Sequence, residues 1–213
     1  MDNLEPQPSP ESSELPALTH PLSEHPLTSF VRFLFEIIKT VVVVLVFALL
    51  IRYFLVQPFV VDGSSMRPSF HDHEYLLVEK LNFIFHHPQR GEVIVFKYPL
   101  NPSFNYIKRV IGVPGDRVVI SKGKVTIYNN QNSSGLVLKE PYLDPGQSTT
   151  LNGDAAEHTW LVDQNSYFVL GDNRDHSDDS RSWGFVPAHS IVGKVWLTIY
   201  PPHDFGLVHH AQY

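Results

Sequence analysis

One long apolar block and a train of short ones order this chain. From Phe33 to Val56 nearly every residue is apolar, and Thr40 to Ile51 runs without interruption. A helix over this span reaches roughly 35 Å at ~1.5 Å per residue, enough for a bilayer core of ~30 Å. The valine-rich run is too long for a single buried strand. Glu36 and Lys39 interrupt it near one end, where they can pair at i,i+3, and Arg52 near the other, where it can snorkel. The bulky stretch Tyr53-Phe54-Leu55-Val56-Gln57-Pro58 lacks a small-residue cleavage site, so an uncleaved anchor is expected over 29–57. Arg32 and Lys39 on one side balance Arg52 and Arg67 on the other, which leaves orientation undecided.

Past Pro58 the pattern changes to short branched and aromatic runs punctuated by Gly, Pro and Asn. Strands are expected at Val60–Asp62, Tyr75–Glu79, Val93–Tyr98, Tyr106–Val110, Arg117–Ser121, Val125–Tyr128, Tyr167–Leu170 and Ile191–Tyr200. Residues 122–164 are more polar and turn-rich, as a small inserted β-hairpin subdomain would be. It would divide a mainly β catalytic core into 58–121 and 165–213. Ahead of the apolar block, residues 1–28 hold six prolines and five acidic groups. Such a segment cannot bury enough surface to offset its chain entropy and is expected to be a disordered tail.

Composition narrows the chemistry. A formal charge of −6 argues against a nucleic-acid partner. With no cysteine in the chain, disulfides, thiolate metal sites and cysteine nucleophiles are excluded together. Covalent catalysis would have to use Ser, Thr, Lys, a carboxylate, His or Tyr.

Three blocks depart from what an ordinary β-domain needs. Asp62-Gly63-Ser64-Ser65-Met66-Arg67-Pro68 is a permissive turn with a hydroxyl at its tip. In Tyr106-Ile107-Lys108-Arg109-Val110-Ile111-Gly112-Val113-Pro114-Gly115-Asp116 two adjacent cations sit inside an apolar run. Neighbours on a strand point to opposite faces, so if one cation meets solvent the other is drawn inward. Gly171 to Gly184 alternates Asp and Arg, which suggests an ion-paired loop. A calcium loop is the alternative there, weakened by the arginines within it.

Together the blocks resemble the type I signal peptidases. Gly63-x-Ser65-Met66-x-Pro68 is similar to the nucleophile box, Tyr106 to Asp116 to the general-base box, and Gly171-Asp172-Asn173-Arg174-Asp175-x-Ser177-x-Asp179-Ser180-Arg181-x-Trp183-Gly184 to the structural box. Order and spacing agree from about Arg52 to Pro201. The resemblance implies a membrane-bound endopeptidase that removes signal peptides, with Ser65 as nucleophile and Lys108 as base. It implies a coiled or barrel-like antiparallel core, with no cofactor and no metal. Ser177 would orient the lysine amine, and Asp179 and Arg181 would form a buttressing pair, with Arg109 turned away from the base. The Ser65 N–H would serve the oxyanion. Where some members carry a serine as second donor this chain has Gly63. Val61, Met66, Phe70, Tyr106 and Ile107 would line shallow pockets for small side chains at −1 and −3, with the peptide adding as a strand near Asp62 and Asn105.

The implied partners are secretory preproteins and membrane lipid. The implied location is a bacterial plasma membrane or a thylakoid membrane, with the catalytic domain on the extracytoplasmic side. Leu81-Asn82-Phe83-Ile84-Phe85 is either a core strand or a membrane-facing segment. The rival from another functional class is a non-catalytic membrane-anchored β-domain, which leaves the three blocks unexplained. A metal enzyme built on His71-x-His73 and His86-His87 lacks an assigned third ligand.

Overall fold

The computed structural model describes residues 26–80, 83, 86–151, 153–154 and 156–213. The proline-rich segment up to residue 25 and four of the five residues of Leu81–Phe85 lie outside that set. Phe83, the exception, packs against a core cluster around Ile94 and Phe96.

Helix α1 spans Pro26–Phe54, 29 residues. Within it Leu27–Leu50 is long and apolar enough to cross a membrane, and none of that stretch is buried against protein. Each large apolar side chain left in water forgoes roughly 1.5–3 kcal/mol of burial, so this helix is suited to an apolar surrounding. The expected i,i+3 pair is present, with Lys39 Nζ 2.6 Å from Glu36 Oε2.

The rest of the chain is antiparallel β. Its strands are β1 (Val56–Val60), β2 (Tyr75–Glu79), β3 (Val93–Lys97), β4 (Asn105–Gly112), β5 (Arg117–Ser121), β6 (Lys124–Tyr128), β7 (Leu136–Val137), β8 (His158–Leu161), β9 (Ser166–Leu170), β10 (Val186–Pro187), β11 (Ile191–Tyr200) and β12 (Gly206–Leu207). A one-turn helix, α2 (Ser180–Trp183), precedes β10.

The larger sheet runs β1-β2-β11-β3-β4-β9-β10, with β12 alongside β11. Its end strands β1 and β10 do not pair with each other, so the core is an open sheet and not a closed barrel. The smaller sheet runs β7-β6-β5-β8. It therefore takes in β5 and begins at Arg117, ahead of the expected boundary at 122. Strand β1 also begins earlier than expected, at Val56, where an anchor extending to residue 57 would still be helical. Pro58 disfavours helical geometry at Gln57, and it is tolerated in β1 because an edge strand leaves one side unpaired.

Alternation places the core. On β3, Val93 and Val95 join Val61, Met66, Phe70, Leu76, Val78 and Val195 on one face of the sheet. Ile94 and Phe96 join Val110, Tyr167, Val169 and Val186 on the other. On β9 the alternate residues Phe168 and Leu170 pack with Ile111, Val118, Ile120 and Ile127, which fastens the small sheet to the large one.

Candidate active site

The link between β1 and β2 carries Ser65. Gly63 turns the chain at φ 98°, in the left-handed region that favours glycine. Its N–H donates to Asp72 Oδ1 at 2.8 Å, a backbone hydrogen bond that holds the Asp72 carboxyl below its usual range. Beyond the serine, Met66 and Phe70 are driven into the core at 1% and 3% exposure. They anchor the turn from below.

A second segment grips the turn from the side. Asn173 N–H donates to the Ser65 carbonyl at 3.0 Å, and Asn173 Nδ2 to the Ser64 carbonyl at 3.1 Å. Gly171 makes this approach possible: a Cβ there would fall on Ser177 Oγ and lie 2.5 Å from the Ser65 carbonyl oxygen. The Gly171 N–H donates to Asp179 Oδ2 at 3.0 Å. Asp179 in turn caps α2 and is held at both oxygens by Arg181, at 2.8 Å each.

Lys108 reaches Ser65 from β4. Its Nζ lies 2.8 Å from Ser65 Oγ and 3.0 Å from the Ile107 carbonyl, and the residue is 4% exposed. Burial disfavours the ammonium and pulls its pKa down from 10.5 to about 8, against the opposing pull of Asp179, Asp178 and Asp172. Roughly a tenth of the side chain is then neutral at pH 7, against well under a thousandth for a free lysine.

Arg109 points to the other face of β4, as alternation requires. Both cations are buried. Arg109 is held by Asp172 at 2.8 and 2.5 Å. The alternating loop is ion-paired throughout its interior, since Arg174 is bound by Glu140 as well. With Asp172 and Asp179 each committed to an arginine, the calcium reading loses two of its ligands.

The structure brings Ser65 and Lys108 into contact, joins Asp179 to Arg181 and to the Gly171 N–H, and turns Arg109 to Asp172. Ser177 does not make its expected bond: its Oγ is buried beside Gly171 without a hydrogen-bond partner. Gly63 offers no side-chain donor, and its N–H is already committed to Asp72. Among the described residues the Ser65 N–H donates to no acceptor, which leaves it available to a developing oxyanion.

A cleft of about 310 Å³ opens beside the serine. Val61, Asp62, Tyr106 and Ile107 line it; Met66 and Phe70 do not and are core beneath the turn. Phe59, Val60, Leu76, Val95, Phe104 and Asp178 line it without having been singled out. Leu76 stands opposite Phe59, and Val95 opposite Ile107, so the strand register supplies these walls. No histidine lines the cleft among the described residues.

Residues 34–200 match the family model described as signal peptidase, peptidase S26. The chain is 34% identical to the signal peptidase I of Pseudomonas aeruginosa, over 86% of this chain and 77% of that one. It is 35% identical to that of Leptolyngbya laminosa, over 90% and 88%. A crystal structure of an Enterococcus faecalis signal peptidase I is 31% identical, with a TM-score of 0.41 over 51% of this chain and 97% of that chain.

Proposed function

Because the chain belongs to the signal peptidase family, peptidase S26, we propose that it cleaves signal peptides from exported preproteins through a Ser65–Lys108 dyad. The observation that carries the mechanism is the 2.8 Å contact between Ser65 Oγ and a buried Lys108 whose pKa is drawn down to about 8.

In the neutral form Lys108 accepts the Ser65 proton as Oγ attacks the scissile carbonyl. The Ser65 N–H donates to the oxyanion of the tetrahedral intermediate. As the intermediate collapses, the C–N bond breaks and the leaving amine takes the proton from the Lys108 ammonium. A water molecule, deprotonated by Lys108, then attacks the acyl ester to form a second tetrahedral intermediate; as this collapses, Ser65 Oγ leaves with the proton from Lys108, and the freed signal peptide acid loses its own proton to solvent. Asp179 and Arg181 act at one remove, by fixing Gly171 and through it the loop that grips the nucleophile turn.

The walls of the cleft support selection of small residues at −1 and −3. Phe59, Leu76, Val95 and Ile107 are bulky apolar walls of this cleft, which favours small side chains over large ones. Edge strand β1 offers unpaired backbone groups alongside Asp62, the geometry an extended substrate needs to add as a strand. Helix α1 anchors the enzyme in a bacterial plasma membrane or a thylakoid membrane. The catalytic unit works on the extracytoplasmic side, where translocated preproteins present their cleavage sites.

The test uses the detergent-solubilised full chain and a secretory preprotein between pH 6 and 10, beside Ser65→Ala and Lys108→Ala. Cleavage after a small residue, lost in both variants, is the expected result. Full activity in Lys108→Ala would remove the base assignment, and a folded wild type that cuts nothing would leave a non-catalytic β-domain.

A further inference from the structure

Five carboxylates are buried in the β portion: Glu74, Glu92, Asp116, Asp172 and Asp179. Four have a lysine or arginine partner, respectively Lys194 for Glu92, Arg90 for Asp116, Arg109 for Asp172 and Arg181 for Asp179. Glu74 has none among the described residues. Its Oε1 accepts from the His71 N–H at 2.9 Å and lies 3.0 Å from His71 Nδ1, and among the described residues no donor reaches its Oε2. The Glu74 side chain is 4% exposed.

Glu74 lines a cavity of about 450 Å³ separate from the Ser65 cleft. The pairing of Tyr200 on β11 with Tyr75 on β2 carries the turn Pro202–Asp204 to this cavity. One ligand atom each from His71, Glu74 and Asp204 falls within 4.8 Å of the others. His203, 3.2 Å from Asp204 Oδ2, lines the same cavity. Arg109 lines it too, with its charge already met by Asp172.

We propose that His71, Glu74 and Asp204 form a binding site for a divalent transition-metal ion of the zinc type. One imidazole nitrogen and two carboxylate oxygens are a ligand set such ions accept, whereas calcium and magnesium take oxygen alone. The spacing fits: two ligands on a tetrahedral ion with bonds of about 2.0–2.1 Å stand roughly 3.3 Å apart, and His71 Nδ1 and Glu74 Oε1 are at 3.0 Å. His203 or water fills the fourth position. The ion supplies the charge that Glu74 lacks, and it ties the link carrying Ser65 to the segment that follows β11. It takes no part in the cleavage chemistry.

Untagged full-length protein in detergent, stripped with a chelator, is titrated with Zn²⁺ by calorimetry beside His71→Asn, Asp204→Asn and Glu74→Gln. His71 and Asp204 are exposed, so their variants should keep the fold, which tryptophan fluorescence checks in the absence of metal. One ion per chain is expected, bound at least about tenfold more weakly in each variant, since even loss of an outer-shell partner costs 10–100-fold. Co²⁺ in place of Zn²⁺ should give the intense visible absorption of a four-coordinate site in the wild type alone. Equal Zn²⁺ affinity in wild type and in the His71→Asn/Asp204→Asn double variant would overturn the site and assign the binding to other histidines. Absence of saturable binding to the wild type would overturn it outright.

Discussion

Replacing Lys108 with methionine should stabilise the protein at neutral pH and destabilise it in strong alkali. Methionine matches the aliphatic stem of the lysine and removes the buried charge. The gap from 10.5 to about 8, at about 1.36 kcal/mol per pH unit, corresponds to roughly 3 kcal/mol. Below pH 8 lysine is protonated in both the folded and the unfolded chain, and that penalty is borne in full. Between about 8 and 10.5 the unfolded chain keeps a proton that the native state has released, so wild-type stability rises with pH. Above 10.5 the penalty is gone. The variant also loses the amine's hydrogen bond with Ser65, worth about 1 kcal/mol. The methionine protein should therefore be more stable by roughly 2 kcal/mol at pH 7 and less stable by about 1 kcal/mol near pH 11. All three tryptophans, Trp160, Trp183 and Trp196, lie outside α1, so urea unfolding followed by their fluorescence in mild detergent reports the β portion. Taking the difference between the two proteins cancels the other titrating groups. A difference that stays flat with pH would refute the desolvated base, whatever its size.

Three further outcomes are expected. Preprotein cleavage should rise with pH through a midpoint near 8, and Asp178→Asn, which removes an exposed negative charge that holds the Lys108 pKa up, should move that midpoint lower. An unmoved midpoint would detach Asp178 from the base. Asp172→Asn leaves Arg109 buried without its partner, and urea unfolding should show a loss of about 3–5 kcal/mol; a loss under about 1 kcal/mol would mean the pair is replaceable. Gly171→Ala pushes a methyl into Ser177 and the Ser65 carbonyl, and a shift of the nucleophile by an ångström should lower kcat about 100-fold. Unchanged kcat would show that the loop gives way without moving the serine.

What could be read from the residues differs from what could not by a physical criterion. The strands Tyr75–Glu79, Arg117–Ser121 and Ile191–Tyr200 were legible because their alternation and boundaries are local. Ser65 and Lys108 stood out only through the resemblance carried by all three blocks in order, since neither the Gly-Ser-Ser turn nor the paired cations marks them alone. The cleft lining was only half legible. Met66 and Phe70 are apolar residues close to Ser65, and nothing local tells whether such a residue faces a cleft or anchors the turn. Phe59, Leu76 and Val95 became walls through cross-strand register, which depends on β2 lying beside β1 and β4 beside β3. Alternation put Lys108 and Arg109 on opposite faces of β4 but did not tell which face, if either, meets solvent. Asp172, 63 residues further on, makes both faces dry.

The strand order carries a consequence for how the enzyme comes into being. Ser65 belongs to the β1–β2 side and Lys108 to the β3–β4 side, and the strand that joins them is β11, made more than eighty residues after Lys108. A nascent chain emerging in order holds the serine and the lysine through more than eighty further residues before the strand that brings them together is made. Because pairings between distant segments are slow to close, proteolytic power arrives as one of the last events of folding.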